Sequence, residues 1–338
     1  MFKRIKIMNG KKYAYLEKSF RIGKKIKKLS FYLGLSGLKD FSEINKNQIN
    51  SLTKEIITNL YDFFNMDRYF VKEMVNKIEN YKIQFNILWE LLDKDSQKEI
   101  LDEYITKFLV NSMVMEGSTI TYGSAERINK LLLKEKAKSS QIKIANLADE
   151  DIRLYAQLKK ALEELNKIPL RYAKNISDLH KIIYQDVYSF AGNFRKKDIT
   201  FGDPYLELAN TVHWKDVRES YNKAIKNFKS IKKKEYIFQK IINFHINYQE
   251  VHGFEDGNSR LGRLIMMKQM LVEGYPPVIL RGTKSISYRR SLVKAINHKQ
   301  KRAFAKLMYE DYKRTFERFW LPRIEKKLRN KKISPLGK

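Results

Sequence analysis

Apolar residues recur at intervals of three and four along most of the chain, which is the spacing of an amphipathic helix. The pattern begins at Phe41 and continues almost to the C-terminus. It predicts helices over residues 41–64, 70–92, 96–117, 123–135, 149–168, 177–188, 214–231, 235–252, 259–275 and 287–328. The final residues, 326–338, are rich in lysine and are expected to fray as a solvated tail.

Two stretches break the helical spacing and predict β structure. Residues 11–34 alternate in part between apolar and polar positions around a glycine turn, which is typical of a β-hairpin or a short meander. Residues 191–214 contain Gly192, Gly202 and Pro204, and they predict a loop or hairpin. The chain is therefore expected to be mainly α, with a small β element in front and one β loop inside the helical part.

The composition limits the compartment and the partners. The 338 residues include no cysteine and only five histidines, which excludes disulfides and thiol chemistry and disfavours a structural zinc site. There is no apolar run of about 18 residues and no apolar signal core, so we expect a cytoplasmic protein without a membrane span. Lys and Arg outnumber Asp and Glu by 68 to 38, and the formal charge of +30 would attract nucleotides, nucleic acid or acidic proteins.

The stretch EVHGFEDGNSRLGR, residues 250–263, places reactive side chains at one turn between two helices. The first helix should end near His252, and the second should begin near Asn258 or Ser259. A helix N-terminus has unpaired N–H groups and a positive dipole, and Gly257 allows the positive φ that an anion-binding turn needs. Phosphate binding is therefore expected at this turn.

The charged residues around this turn suggest a reaction. Arg260 and Arg263 lie three residues apart on one helix face, where two guanidinium groups can clamp phosphate oxygens. Asp256 beside an anion would repel phosphate unless it holds Mg²⁺. His252 could take the proton from a hydroxyl that attacks phosphorus. The combination predicts transfer of a phosphate-containing group from a Mg²⁺-bound nucleotide to a hydroxyl.

The stretch HGFEDGNSRLGR resembles the active-site motif of Fic proteins, H-x-F-x-[D/E]-G-N-x-R-x-x-R, at every defining position. It departs from the most common form of the motif at Gly253, where proline is usual, and at Ser259, where glycine is usual. Ser259 also suits a helix N-cap. The resemblance extends over about residues 105–310.

The resemblance implies a Fic-type helical bundle with a β-hairpin flap around residues 198–205, which receives a target protein by strand addition. The target-binding flap residues would be Ile199, Thr200, Phe201 and Gly202. Most Fic proteins move AMP from ATP to a Ser, Thr or Tyr hydroxyl of a protein and release pyrophosphate. The implied partners are therefore ATP, Mg²⁺ and a protein substrate, which could be the chain itself.

The same resemblance assigns a role to each motif residue. His252 would be the general base, and Asp256 would be the Mg²⁺ ligand. The nucleotide-binding residues would be Gly257, Asn258, Ser259, Arg260 and Arg263. Within this set, Asn258 and the Gly257 turn would hold the α-phosphate, and Arg263 would contact the γ-phosphate.

A second stretch, SMVMEG at residues 112–117, resembles the inhibitory motif [S/T]-x-x-x-E-[G/N] of the same family. Ser112 and Glu116 are four residues apart, on one face of a helix that is expected to stop at Gly117. The resemblance implies that Glu116 pairs with Arg263 and occupies the position of the γ-phosphate. We therefore expect the chain to inhibit itself.

The chain divides into four expected regions. These are a small β element at 1–38, a helical region at 39–104, a Fic core at 105–310 with its inhibitory helix at 105–117, and a C-terminal helix with a basic tail at 311–338. The sequence leaves the oligomeric state open and is compatible with a homodimer.

Two functional alternatives stay open beside adenylyl transfer. The first keeps the fold and changes the chemistry, to transfer of another phosphate group or to removal of AMP. The second is a basic nucleic-acid-binding or interaction protein with a decayed Fic core, which the +30 charge favours. The intact His252, Asp256 and both arginines disfavour this second alternative.

Overall fold

The computed structural model describes residues 2–22, 25–34, 69–134, 142–165, 168–203, 207–230 and 236–333. The helix predicted over 41–64 and the tip of the predicted flap at 204–206 lie outside the described residues. Among the helices that are described, none combines the length and the apolar character needed to cross a membrane.

The N-terminal residues form a three-stranded antiparallel sheet with β2 in the centre. The strands are β1 (Phe2–Met8), β2 (Lys11–Ile22) and β3 (Lys25–Gly34). The predicted hairpin over 11–34 is confirmed as β2 and β3. Strand β1 was not predicted, although Ile5 and Ile7 alternate with basic residues before the turn at Asn9 and Gly10, whose positive φ values suit an Asn-Gly hairpin.

The remaining described elements are almost all helical. The helices are α1 (Lys72–Trp89), α2 (Lys94–Val114), α3 (Tyr122–Lys134), α4 (Asp149–Leu165), α5 (Ala173–Tyr184), α6 (Val217–Lys229), α7 (Ile237–Val251), α8 (Asn258–Val272), α9 (Ser285–Asn297), α10 (Arg302–Thr315) and α11 (Leu321–Ile333). A π-helical turn at Phe316–Trp320 joins α10 to α11. The mainly helical fold with a small β element in front is therefore confirmed.

The helix predicted over 177–188 is displaced and spans Ala173–Tyr184, and two further predicted helix ends are wrong for identifiable reasons. Residues 326–333 were expected to fray, but they continue α11, which packs Ile324 and Leu328 into the core and pairs Arg323 with Glu103 of α2. Helix α2 ends at Val114 instead of 117. Tertiary contacts keep the end of α11 helical, and a backbone turn ends α2. The spacing of apolar residues in the sequence indicates neither effect.

Helices α7 and α8 form the centre of the fold, and they approach each other closely at Gly262. A Cβ atom at this position would lie 2.5 Å from Nε2 of Gln249 and 2.8 Å from the ring of Tyr248. Glycine is therefore required for the two helices to pack at this distance. Because α7 ends and α8 begins at the motif loop, this packing fixes the distance between the two sides of the loop.

A buried carboxylate ties helix α1 to this central pair. Oε1 of Glu79 accepts hydrogen bonds from the hydroxyls of Tyr236, at 2.9 Å, and Tyr275, at 2.8 Å. All three side chains are buried. Tyr236 immediately precedes α7 and Tyr275 follows α8, so Glu79 joins the far ends of both central helices to α1.

The substitution Glu79→Ala should lower the free energy of unfolding by about 3 kcal/mol, because two buried tyrosyl donors lose their acceptor. Urea denaturation followed by circular dichroism measures this change. Glu79→Gln keeps an acceptor and should lower the free energy of unfolding by less. Glu73→Ala, at an exposed position of α1, should leave the free energy of unfolding almost unchanged. Equal effects of Glu79→Ala and Glu73→Ala would contradict the role of Glu79.

Candidate active site

The motif loop joins α7 to α8 and contains two residues in the left-handed region. Helix α7 ends at Val251, and His252 follows with φ 44° and ψ 55°. Gly257 has φ 83° and is the N-cap of α8, which begins at Asn258. The prediction of Ser259 as an N-cap is therefore wrong, because Gly257 supplies the turn and Ser259 lies in the first turn of α8.

The side chain of Asn258 fixes the shape of this loop. Its Oδ1 accepts a hydrogen bond from the Phe254 N–H at 3.0 Å, and its Nδ2 donates to the Phe254 carbonyl at 2.7 Å. The Asn258 side chain is buried. In the structure Asn258 therefore shapes the loop, and its contact with an α-phosphate stays a prediction.

A histidine from helix α5, His180, holds the loop from the other side. The Gly192 N–H donates to Nδ1 of His180 at 2.9 Å, so Nδ1 carries no proton and Nε2–H donates to the Asp256 carbonyl at 3.0 Å. The imidazole ring stacks on Phe254, with ring centroids 3.8 Å apart. Burial lowers the pKa of His180 to about 4, which keeps this ring neutral.

The expected general base, His252, is buried at the floor of the loop. Its Nδ1 lies 3.2 Å from the carbonyl oxygen of Gln249, which can only accept, so Nδ1 carries the ring proton and Nε2 keeps a free lone pair. Burial lowers the pKa of His252 to about 4, so the ring is neutral. The Phe201 ring stacks on it at 4.3 Å. A neutral imidazole in this tautomer can accept a proton at Nε2.

The conformation of His252 depends on a buried arginine that the sequence did not identify, Arg195. Its Nε donates to the His252 carbonyl at 2.8 Å, and its Nη2 donates to the Val251 carbonyl at 3.3 Å and to the Val212 carbonyl. Nη1 donates to the Lys197 carbonyl at 2.8 Å. Arg195 thus satisfies carbonyls that the end of α7 leaves unpaired. A single arginine in a loop is usually solvated, so the sequence carried no signal for this role.

The acid and the first arginine of the motif, Asp256 and Arg260, are paired. Nη2 of Arg260 lies 3.2 Å from Oδ2 of Asp256, which also accepts from the Tyr188 hydroxyl at 2.7 Å. Burial alone would raise the pKa of Asp256, but Arg260 and hydrogen bonds from Tyr188 and Gly257 outweigh it and lower the pKa. Asp256 is therefore an ionised carboxylate, about half of whose side chain is exposed.

The second arginine, Arg263, reaches the end of helix α2. Its Nε donates to the Ser112 hydroxyl at 2.8 Å, and its Nη2 donates to the Ser112 carbonyl at 2.7 Å and pairs with Oε1 of Glu116 at 2.8 Å. Arg263 is only 1% exposed. Glu116 lies in the turn that follows α2, which Gly117 completes at φ 95°, and not on the helix face that the spacing predicted.

One cavity of about 240 Å³ connects most of these groups. Its lining includes Glu116, Phe201, Gly202, His252, Asp256, Gly257, Asn258, Ser259, Arg260, Tyr288 and Arg289. The structure therefore brings His252, Asp256, the N-terminus of α8 and Glu116 to one space. Arg263 contacts this space through Glu116, whereas Ile199 and Thr200 do not line it.

Residues 170–270 match the family model described as the Fic/DOC family. The fold is similar to a Fic domain containing signaling protein from Bacteroides thetaiotaomicron VPI-5482, with a TM-score of 0.57 and 18% identity over 76% of this chain and 99% of that chain. It is also similar to residues 134–508 of Fic-1 from C. elegans, with a TM-score of 0.59 and 17% identity over 83% of this chain and 75% of that chain. A third similar structure is a Fic family protein from Desulfovibrio desulfuricans G20, with a TM-score of 0.61 and 14% identity over 81% of this chain and 78% of that chain.

This chain contains a Fic/DOC-family domain at residues 170–270. At these low identities the solved structures establish a shared fold, and the family model places the motif loop inside the Fic/DOC domain. Proteins of the Fic family are generally transferases of nucleotide or phosphate-containing groups.

The Fic flap predicted around residues 198–205 is a short antiparallel hairpin. Gly202 pairs with Leu208 and Asp203 pairs with Glu207, and the Phe201 carbonyl accepts a hydrogen bond from the Ala209 N–H at 2.7 Å. Phe201 and Gly202 line the active-site cavity. The binding of a target protein to residues 199–202 stays a prediction.

The departure from the common Fic motif at Gly253 follows from close packing. A Cβ atom at this position would lie 2.5 Å from the ring of Tyr221 and 2.8 Å from Val217. The Gly253 N–H also donates to the Tyr221 hydroxyl at 3.0 Å. Proline, the common residue, has no N–H and would overlap the tyrosine ring, so α6 and Gly253 are matched to each other in this chain.

Three buried histidines are neutral in the folded protein, and its stability should therefore depend on pH. Burial lowers the pKa of His180 to about 4, of His245 to about 3 and of His252 to about 4. Between these values and the unfolded value of about 6.5, the unfolded chain binds more protons, so the free energy of unfolding should rise with pH. Urea denaturation at about pH 5 and pH 7 measures this rise, which should be smaller in His252→Gln. An equal rise in both proteins would contradict a neutral buried His252.

Proposed function

We propose that this Fic-domain protein is a self-inhibited adenylyltransferase that moves AMP from ATP to a Ser, Thr or Tyr hydroxyl of a protein. The observation that carries the proposal is the single cavity in which His252, Asp256 and the start of α8 meet Glu116. His252, Asp256 and the start of α8 are the groups that a nucleophilic attack on a phosphate requires. Glu116 can compete with a phosphate for the same cationic groups.

The proposed reaction needs one proton transfer and one displacement at phosphorus. The target hydroxyl oxygen forms a bond to the α-phosphorus, the bond from that phosphorus to the bridging oxygen breaks, and pyrophosphate leaves. The hydroxyl proton passes to Nε2 of His252, the nitrogen that the Gln249 contact leaves unprotonated. The N–H groups at the start of α8 and the guanidinium of Arg260 stabilise charge on the phosphate oxygens.

The residues around Asp256 fit a Mg²⁺ ion that arrives with a nucleotide. No group of three His, Cys, Asp or Glu residues suitable for a metal occurs among the described residues, so the protein supplies one carboxylate rather than a complete site. This is the usual arrangement for Mg²⁺, which takes one or two carboxylates together with phosphate oxygens and water. The ion would neutralise charge on the phosphates, and Asp256 would exchange its Arg260 contact for it.

The flap supports a protein as the acceptor of AMP. The paired residues 202–203 and 207–208 form a two-stranded hairpin beside the cavity, and the edge of a hairpin can add a strand from another chain. Phe201 covers the ring of His252 from the flap, so a strand bound at the flap would hold its hydroxyl close to the base. The acceptor could be a segment of the same chain.

The Glu116–Arg263 contact supports the self-inhibited state. A guanidinium that is 1% exposed requires a partner, and either the Glu116 carboxylate or a nucleotide phosphate can supply the negative charge. Because both would occupy the same side of Arg263, ATP binds productively only when Glu116 withdraws. The hydroxyl and carbonyl of Ser112 keep two of the Arg263 donors satisfied in either state.

The substitution Glu116→Gly should raise self-labelling by α-labelled ATP at least about tenfold, which corresponds to ~1.4 kcal/mol of inhibitory pairing. Intact-mass spectrometry with ATP and Mg²⁺ identifies the adduct. An AMP-sized adduct supports adenylyl transfer, and a phosphate-sized adduct supports the alternative of another transferred group. Glu310→Ala, at an exposed position of α10, is the control and should label like the wild type. No increase in Glu116→Gly, with nucleotide still bound, would contradict self-inhibition.

The substitution His252→Ala in the Glu116→Gly background should lower AMP transfer by about 10²- to 10⁴-fold, the usual contribution of a general base. The same protein tests the nucleic-acid alternative, which the exposed Arg4, Lys11 and Lys12 of the N-terminal sheet favour. Binding to a DNA duplex through these residues should fall steeply with salt and should not change in His252→Ala. Transfer that persists in His252→Ala would contradict the proposed base.

A further inference from the structure

A second cavity, of about 260 Å³, lies on another face of helix α2 from Ser112. Its lining includes Lys107 and Asn111 of α2, Tyr122 at the start of α3, Arg314 of α10, Arg318 of the π-helical turn, and Arg323 of α11. It shares none of these residues with the active-site cavity. Four of the side chains that line it are cationic, and no carboxylate is among the lining residues.

The positive charge around this cavity exceeds the negative charge that pairs with it. Glu103 binds Arg323 through two contacts, at 2.6 and 2.5 Å, and lies 3.7 Å from Lys107. Asp311 is likewise shared, between Arg281 at 2.5 Å and Arg314 at 3.7 Å. Two carboxylates are thus shared among four cationic side chains, which leaves an excess of positive charge.

Arg314 and Arg318 have the least compensation. Nε of Arg314 is buried and makes no hydrogen bond within 3.5 Å among the described residues, although Oδ1 of Asp311 lies 3.7 Å from it; Nη2 donates to the Ile279 carbonyl at 2.9 Å. Burial lowers the pKa of Arg314; Asp311 opposes this shift, and repulsion from Arg281 and Arg318 adds to it. The side chain of Arg318 is exposed at the rim of the cavity. The excess of positive charge around the cavity favours an anionic ligand.

We propose that this cavity is a second binding site for a phosphate-bearing anion, such as pyrophosphate or the phosphate tail of a nucleotide. Arg314 and Arg318 supply guanidinium groups whose fork geometry suits phosphate oxygens, and Lys107 supplies an ammonium group from the opposite wall. The carboxylate Glu126 interacts with Tyr122 near one wall and adds one more negative charge to this region.

The position of the site gives its ligand an effect on helix α2. The ligand touches α2 through Lys107 and touches the C-terminal helices through Arg314 and Arg318, so the complete site exists only while α2 lies where the structure places it. Asn111 fixes the same turn of α2 by accepting the Gly282 N–H at 3.0 Å. A ligand that binds only this arrangement stabilises it. If the proposed self-inhibition is correct, the anion therefore strengthens the Glu116–Arg263 contact.

Protection of Lys107 from acetylation locates the binding without relying on any enzymatic activity. The full chain is treated with an amine-acetylating reagent, with and without inorganic pyrophosphate, and labelling at each lysine is measured by mass spectrometry. At about ten times the dissociation constant, labelling of Lys107 should fall about tenfold, because only the free fraction reacts. Sodium chloride at the same ionic strength controls for screening, and a non-hydrolysable ATP analogue tests a nucleotide tail as the source of the phosphates.

Variants of exposed arginines make the test specific. Arg318→Ala should abolish the protection of Lys107, and Arg318→Lys should restore part of it. Arg329→Ala, at an exposed position of α11 away from the cavity, should leave the protection unchanged. Protection that persists in Arg318→Ala, or that sodium chloride reproduces, would overturn the second site.

The consequence for inhibition is measured separately. Pyrophosphate also competes at the active site as a product, so wild type and Arg318→Ala are compared. The wild type should be inhibited at lower pyrophosphate concentrations than Arg318→Ala, and this difference should disappear in the Glu116→Gly background. Inhibition that is identical in wild type and Arg318→Ala would overturn the effect on α2. Failure of AMP transfer itself would overturn the proposed function and leave the protection of Lys107 intact.

Discussion

The site depends on one requirement, which is that the buried guanidinium of Arg263 has a negative partner. Arg263 comes from the second turn of α8, close to the anion-binding N-terminus, and its partner comes from the end of α2, almost 150 positions earlier in the chain. An unpaired charge at this depth would cost several kcal/mol. The fold satisfies Arg263 with Glu116, and in doing so it docks α2 against the central pair of helices. The proposed inhibition and the structural integrity of the site therefore share the same ion pair.

Contacts to main-chain carbonyls hold the catalytic loop in place. Arg195 binds the carbonyls of Val251 and His252, and His180 binds that of Asp256. Both residues belong to the stretch between the start of α5 and the flap, which packs under the loop. The flap and the base are therefore parts of one unit, and a movement of residues 195–201 would displace His252 as well.

The sequence predicted the parts of the site that are contiguous and missed those that are not. Residues 252–263 carry their chemistry within one turn, so their types and spacing indicated a phosphate site before any resemblance was considered. The Glu116–Arg263 pair was expected only because of a resemblance, since nothing in residue spacing connects two positions so far apart. Arg195 was not expected, because its role exists only through carbonyls that the fold brings to it. The N-cap at Gly257 and the true end of α2 were missed for a related reason: backbone torsions, rather than side-chain periodicity, decide where a helix stops.

The two hydrogen bonds between Asn258 and Phe254 have a thermodynamic consequence for ligand selection. They fix the loop in the absence of any ligand, so a bound phosphate gains its contacts without ordering the chain first. A preorganised loop of this kind changes its conformation little, so the affinity for an anion depends on how well its shape matches the loop. Discrimination among nucleotide-derived groups in this protein would then arise at the two adjustable walls, the flap and Glu116, while the floor of the site stays the same for every donor.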